Sequence, residues 1–222
     1  MVGQFFESMD RGVTARGASE PELRVDLLVS AIERAASSYP AAIDHNFSII
    51  DGSRKGEFMN SAFALMKVEF KRGQSTRRTA YNMQPASALV DVIGSGARSF
   101  RDTHIRWQAG DAGGTSRAVY SAFAESLRVG GHPRSGGPPQ LVGLIRKGPA
   151  KSFGVIWNGG RYFGGMEIVN SSAETPVRWH NELFELCNPA TLTRIGGAQS
   201  QPSPRGSRED MDAVRRQPRP LP

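Results

Sequence analysis

Residues 91–97 read DVIGSGA, a short apolar run that stops on Gly94-Ser95-Gly96 and then turns helical. Glycines at such a place let backbone N–H groups approach an anion at a helix start. A serine between them also raises the question of a nucleophile turn. The flanking residues narrow the choice. The run carries neither G-x-x-x-x-G-K-[ST] nor G-x-G-x-x-G, and Ser95 has glycine directly on both sides, unlike G-x-S-x-G. The reading that fits best is a structural turn, in which glycine supplies a positive φ or close packing.

Other chemistry-bearing residues are dispersed. Asp51-Gly52-Ser53-Arg54-Lys55-Gly56 is the most polar stretch beside a strand, a ligand loop or, better on turn chemistry, a solvated hairpin tip. Lys71, Arg72, Arg77 and Arg78 form the densest basic group and are the candidates for anion or nucleic-acid contact. His45, His104, His132 and His180 are far apart and show no ligand spacing, so neither a metal nor a cofactor is expected. Asp102 and His104, two apart on a helix, point to different faces. Cys187 follows the apolar face of a short helical segment and reads as a buried thiol. Trp157, Tyr162 and Phe163 suit a packed sheet face or a surface for a partner subunit.

The elements that position these residues follow from length and pattern. The chain has 222 residues and 38% apolar content, enough for a sizeable core. A formal charge of +7 raises nucleic acid as a partner, yet the arginines are scattered rather than clustered among aromatics. A single cysteine excludes an intramolecular disulfide framework. MVGQFFESMDRG lacks the basic and apolar regions of a signal peptide, and no window is long and apolar enough to span a bilayer. A cytoplasmic protein without membrane contact is expected.

Three regions are expected: a flexible segment at 1–18, one α+β domain at 19–197, and a disordered Pro/Arg-rich tail at 198–222. SEPELRVDLLVSAIERAASSY predicts a helix capped by Ser19 and Glu22, with Pro21 in its first turn. Its apolar face carries Leu23, Leu27, Leu28, Ala31, Ile32 and Ala35, and Tyr39-Pro40 ends it. Strands are expected at 47–53, 63–70, 79–83 and 88–94, the second with Met66, Val68 and Phe70 on one face. Helices follow at 97–107 and 116–129, the latter capped by Thr115 or Ser116. GGHPRSGGPP breaks helicity. A second meander, 140–146, 152–158 and 161–168, turns at Asn158-Gly159-Gly160. RWHNELFELC adds a short amphipathic segment. Strand runs separated by a helical pair predict layered sheets and helices, not an alternating βαβ sheet.

This order, with the residues at its junctions, resembles part of the proteasome-like branch of the N-terminal-nucleophile (Ntn) hydrolases. ALVDVIGSGA is similar to that family's strand ending on a Gly-Ser-Gly turn before a long helix. SRAVYSAFAESLRV followed by SGGPPQLVGLIRKG is similar to its helix, Gly-Gly loop and strand, and FGVIWNGGRYFGGMEI to its final hairpin. The resemblance covers residues 19–168. Such enzymes use a freed Thr, Ser or Cys whose own α-amine is the base. Thr14, in RGVTARG, is the candidate here, but nothing after it reads as a strand, and no position matches the family's early Lys and Asp. The resemblance therefore implies a scaffold: a non-catalytic assembly or interaction subunit, with a homo-oligomer or a protein as partner. The competing readings are a basic nucleic-acid-associated protein and an amide hydrolase with another nucleophile.

Overall fold

The computed structural model describes residues 21–38, 46–71, 74–84, 87–130, 132–169 and 176–200. The segment 1–18 with Thr14, the cap Ser19, Arg72, and residues 201–222 of the expected tail lie outside the described residues. The structure is α+β and divides into two compact units, with the boundary between Met83 and Gln84. Among the described residues no helix is long and apolar enough to cross a membrane.

In the first unit, helix α1 (Pro21–Ser38) buries Val25, Leu28, Val29 and Ile32, an i, i+3, i+4, i+7 stripe. The stripe is displaced from the expected one: Leu23 is exposed, because Val25 and Val29 flank Leu28 on the inward side and Leu23 does not. The stripe packs with Val68 and Phe70 of an antiparallel three-stranded sheet, β1 (Phe47–Lys55), β2 (Ala62–Phe70) and β3 (Arg77–Tyr81). Met66, Val68 and Phe70 share one face of β2, as their alternation requires. Phe47 stands opposite Phe70, with stacked rings 4.6 Å apart.

Residues 51–55 are not a hairpin tip. They continue β1 in unbroken register, from Asp51 opposite Met66 to Lys55 opposite Ala62. The chain reverses later, at Gly56 (φ 75°) and a 3-10 turn at Phe58–Asn60. A Cβ at Gly56 would lie 2.4 Å from the Asn60 carbonyl oxygen, so the turn requires glycine there. Two contacts tie α1 to the chain around β3: Arg78 pairs with Asp26, and the Thr76 hydroxyl donates to Glu33 Oε1 at 2.6 Å.

In the second unit, helices α2 (Ala97–Gln108) and α3 (Ser116–Val129) pack through Phe100, Trp107, Ala118 and Ala122. Thr115 caps α3, its hydroxyl accepting from the Ala118 amide at 3.3 Å, and Gly130 ends it in the left-handed region. The run 88–94, expected as a strand, is irregular: Leu89 and Val92 pack against this helix pair, so its apolar side chains are used without strand pairing.

The second sheet runs β7-β6-β5-β8-β9, with β4 also paired to β5. Its strands are β4 (Leu141–Gly143), β5 (Lys151–Trp157), β6 (Gly160–Phe163), β7 (Met166–Glu167), β8 (Trp179–His180) and β9 (Leu186–Cys187). Asn158 and Gly159, both at positive φ, turn β5 into β6 as their residue types predict. The expected single strand 161–168 is a hairpin, because Gly164 and Gly165, at φ 59° and 84°, fold β7 back on β6. The segment 178–187 is not a helix but the β8–β9 pair. Asn181 Oδ1 accepts from the Leu183 and Glu185 amides at 3.0 and 2.9 Å, a side-chain turn that competes with helical bonding. β8 also pairs parallel with β5, where the Trp179 ring covers Gly154.

Candidate functional site

The Gly94-Ser95-Gly96 turn forms one wall of a cleft of about 430 Å³ in the second unit. Gly94 takes φ 101°, and its carbonyl accepts from the Ala97 amide at 3.2 Å, closing the turn that starts α2. Gly96 is the N-cap residue and offers no side-chain acceptor to the first helical turn. That turn contains no acidic residue, so its N–H groups and the positive end of the helix dipole stay uncompensated by side chains there.

The opposite wall is the loop after α3. A Cβ on Gly96 would approach Ser135 Oγ to 2.9 Å, so a side chain at the second glycine would crowd Ser135. The Ser95 and Ser135 hydroxyls are hydrogen-bonded at 2.9 Å. The loop is braced internally: the Ser135 amide donates to the His132 carbonyl at 3.0 Å, and the Arg134 amide donates to His132 Nδ1 at 3.2 Å. With Nδ1 accepting, the neutral His132 ring carries its proton on Nε2. Phe100, Phe123, Pro138 and Pro139 give the cleft its apolar surface. Arg134 is the charged side chain on its lining, and no carboxylate lines it among the described residues.

The other predicted residues lie elsewhere. Lys71, Arg77 and Arg78 are in the first unit, exposed but interleaved with acids: Arg78 pairs with Asp26, and Arg77 stands opposite Glu69 across the sheet. They do not form an unbroken basic surface. His104 stacks on Phe100 with its Nε2 buried, while Asp102 is exposed. Cys187 is buried, its thiol donates to the Glu185 carbonyl at 3.4 Å, and burial pushes its pKa up, which disfavours the thiolate. Among the described residues no cluster of His, Cys, Asp and Glu is arranged to hold a metal ion.

Reading the sequence for motifs found the glycine turn but passed over its partner. His132, Arg134 and Ser135 belong to GGHPRSGGPP, read as a helix-breaking loop, and Gln140 to the expected strand after it; none was connected with the glycine turn. The usable signal was that GGHPRSGGPP concentrates polar functional groups between glycines and prolines, on a loop held by rigid elements. Comparison with family models, curated proteins and solved structures gives no match.

Proposed function

We propose that this chain is a non-catalytic binding and assembly module whose second unit takes an amphipathic ligand bearing one anionic group, a carboxylate or a phosphate, in the cleft at Gly94-Ser95-Gly96. The observation that carries this reading is the composition of the cleft: aromatic and proline walls, serine hydroxyls, one arginine and no carboxylate. Its volume suits a small organic ligand. Arg134 and the uncompensated start of α2 favour negative charge, while Phe100, Phe123, Pro138 and Pro139 favour an apolar body.

The pairing of Ser95 with Ser135, in place of a base, supports binding without turnover. The order α3, glycine-rich loop, β4 and the β5–β6 hairpin is the part of the Ntn-like resemblance that the elements support, while the strand expected before Gly94 is irregular. The interleaving of Asp26 and Glu69 with the basic group weighs against the nucleic-acid reading.

Calorimetric or NMR titration with phenyl phosphate and benzoate tests the reading. Binding tighter than about 1 mM is expected, weakened roughly tenfold by Arg134→Gln at unchanged melting temperature. No binding, or binding indifferent to Arg134→Gln, rejects it. Steeply salt-dependent binding of random duplex DNA would favour the nucleic-acid class instead.

A further inference from the structure

Asn158 and Gly159 close the β5–β6 hairpin as a two-residue turn, with Trp157 paired to Gly160 where the ladder ends. Asn158 is the one asparagine of the sequence that glycine follows. Both residues are exposed. Among the described residues the Asn158 carboxamide has no hydrogen-bond partner, and the Gly159 N–H, which lies outside the ladder, has none either. Asparagine is a thermolabile residue because the next backbone nitrogen can attack its carboxamide. The attack needs the side chain to swing onto that nitrogen, so it proceeds where an exposed turn can open and both groups are unengaged. Glycine, with no side chain, leaves its nitrogen unshielded. Two other asparagines of the same unit lack these conditions. Asn181 is held at both side-chain atoms: Oδ1 accepts from the Leu183 and Glu185 amides, and Nδ2 donates to Glu185 Oε2 at 2.8 Å. Asn188 precedes Pro189, whose nitrogen has no proton to lose.

We propose that Asn158 is a self-modification site, deamidated through the Gly159 nitrogen, and that the product loosens the joint between the β5–β6 turn and Glu182. The Gly159 nitrogen gives its proton to water or hydroxide and bonds to Asn158 Cγ. The bond from Cγ to Nδ2 breaks, Nδ2 takes up a proton, and ammonia leaves as a succinimide ring closes. Water then opens the ring at either carbonyl. One opening gives aspartate; the other gives isoaspartate, whose backbone runs through the former side chain. Nothing is oxidised or reduced, and water is the co-reactant. The consequence follows from what Asn158 holds. Its backbone N–H donates to Glu182 Oε1 at 3.0 Å, and Arg128 donates to Oε2 of the same carboxylate at 2.6 Å. Either product places a second carboxylate on the residue that grips Glu182, and like charges disfavour each other's ionised form. Isoaspartate also lengthens the backbone between Trp157 and Gly160 by one methylene, so the turn no longer matches the strands that it joins.

Mass spectrometry of the full chain, stored for days in mildly alkaline buffer, reads the first step. The peptide containing residue 158 should gain the mass that exchange of NH2 for OH brings, and gain it faster as pH rises. Asn181 and Asn188 should stay unchanged. Asn158→Gly removes the carboxamide but keeps the backbone donor to Glu182 and a residue pair suited to this turn. Stored in the same way, it should show no gain. Stored wild type should melt about 2–4 °C below fresh protein, a loss absent from Asn158→Gly. If that variant does not fold, modified and unmodified wild type separated by charge allow the same comparison. No gain at residue 158, a gain at Asn181 or Asn188 that keeps pace with it, or modified protein that melts with the unmodified would each overturn the proposal.

Discussion

Charged side chains tie helix to sheet in both units, but in opposite settings. In the first unit Asp26 and Arg78 meet at the rim of an apolar core, with side chains 49% and 42% exposed. In the second, Arg128 of α3 reaches Glu182 in the β8–β9 turn at 2.6 Å, with side chains only 10% and 11% exposed. Glu182 also accepts from the Asn158 amide at 3.0 Å, so one carboxylate holds both the helix and the β5–β6 turn. Glu125 does similar work inside the helix pair, accepting from Trp107 Nε1 at 2.6 Å and from Arg106. Exposed pairs contribute little because water and salt screen them, whereas buried ones must be satisfied or they destabilise strongly. Both units are held by apolar burial, and the second depends in addition on a buried ion pair that joins its helix to its sheet.

The sharpest way to break this contrast is Glu182→Ala. It leaves Arg128 buried without its carboxylate and should cost about 3–5 kcal/mol in urea unfolding. Replacing both partners with apolar residues, Arg128→Met with Glu182→Leu, should recover much of that loss. A single-variant cost below about 1 kcal/mol would put the two pairs on the same footing and remove the distinction.

A smaller effect is expected from acid. His180 is stacked on Phe184 at 4.6 Å and meets Phe153 edge-on at 5.5 Å. Burial holds its pKa below the ordinary value of 6.5; the Phe184 carbonyl pulls upward, and Arg178 and Arg117 add to the lowering. The unfolded chain thus takes up a proton near pH 6.5 that the folded chain refuses. Stability from this group is complete above that pH and declines as pH falls below it, by at most about 1.4 kcal/mol per pH unit. Comparing pH-dependent unfolding of wild type and His180→Gln isolates the slope, which the variant should lose.

The smallest effect belongs to the exposed pair. Asp26→Asn should change stability by roughly 0.2–1 kcal/mol, and the difference should shrink in added salt. A loss as large as that of Glu182→Ala would mean that the rim of the first unit is as demanding as the interior of the second.

Local periodicity made much of the fold legible. The existence of the first helix, with Leu28 and Ile32 on its buried face, and the alternation of Met66, Val68 and Phe70 are visible in one dimension because each depends only on near neighbours, whereas the inward places of Val25 and Val29 were not read. Three features were not legible for the same reason. The apolar run before Gly94 is spent on packing against α2 and α3, a choice no local period records. Gly164-Gly165 divides one expected strand into two. Asn181 closes a turn with its side chain where spacing alone suggests a helix. The candidate site was half visible: the glycine turn could be read, but Ser135 meets it from 40 residues away.

One contact constrains how this sequence can change over time. Trp179 lies on Gly154 so closely that a Cβ there would fall 2.3 Å from the indole ring. Neighbouring Val155 and Ile156 need only an apolar side chain of similar volume, and related residues can exchange at both. Position 154 has no such freedom while tryptophan occupies 179. The two are effectively inherited as one character: glycine can be replaced only in a lineage that has first given up the tryptophan.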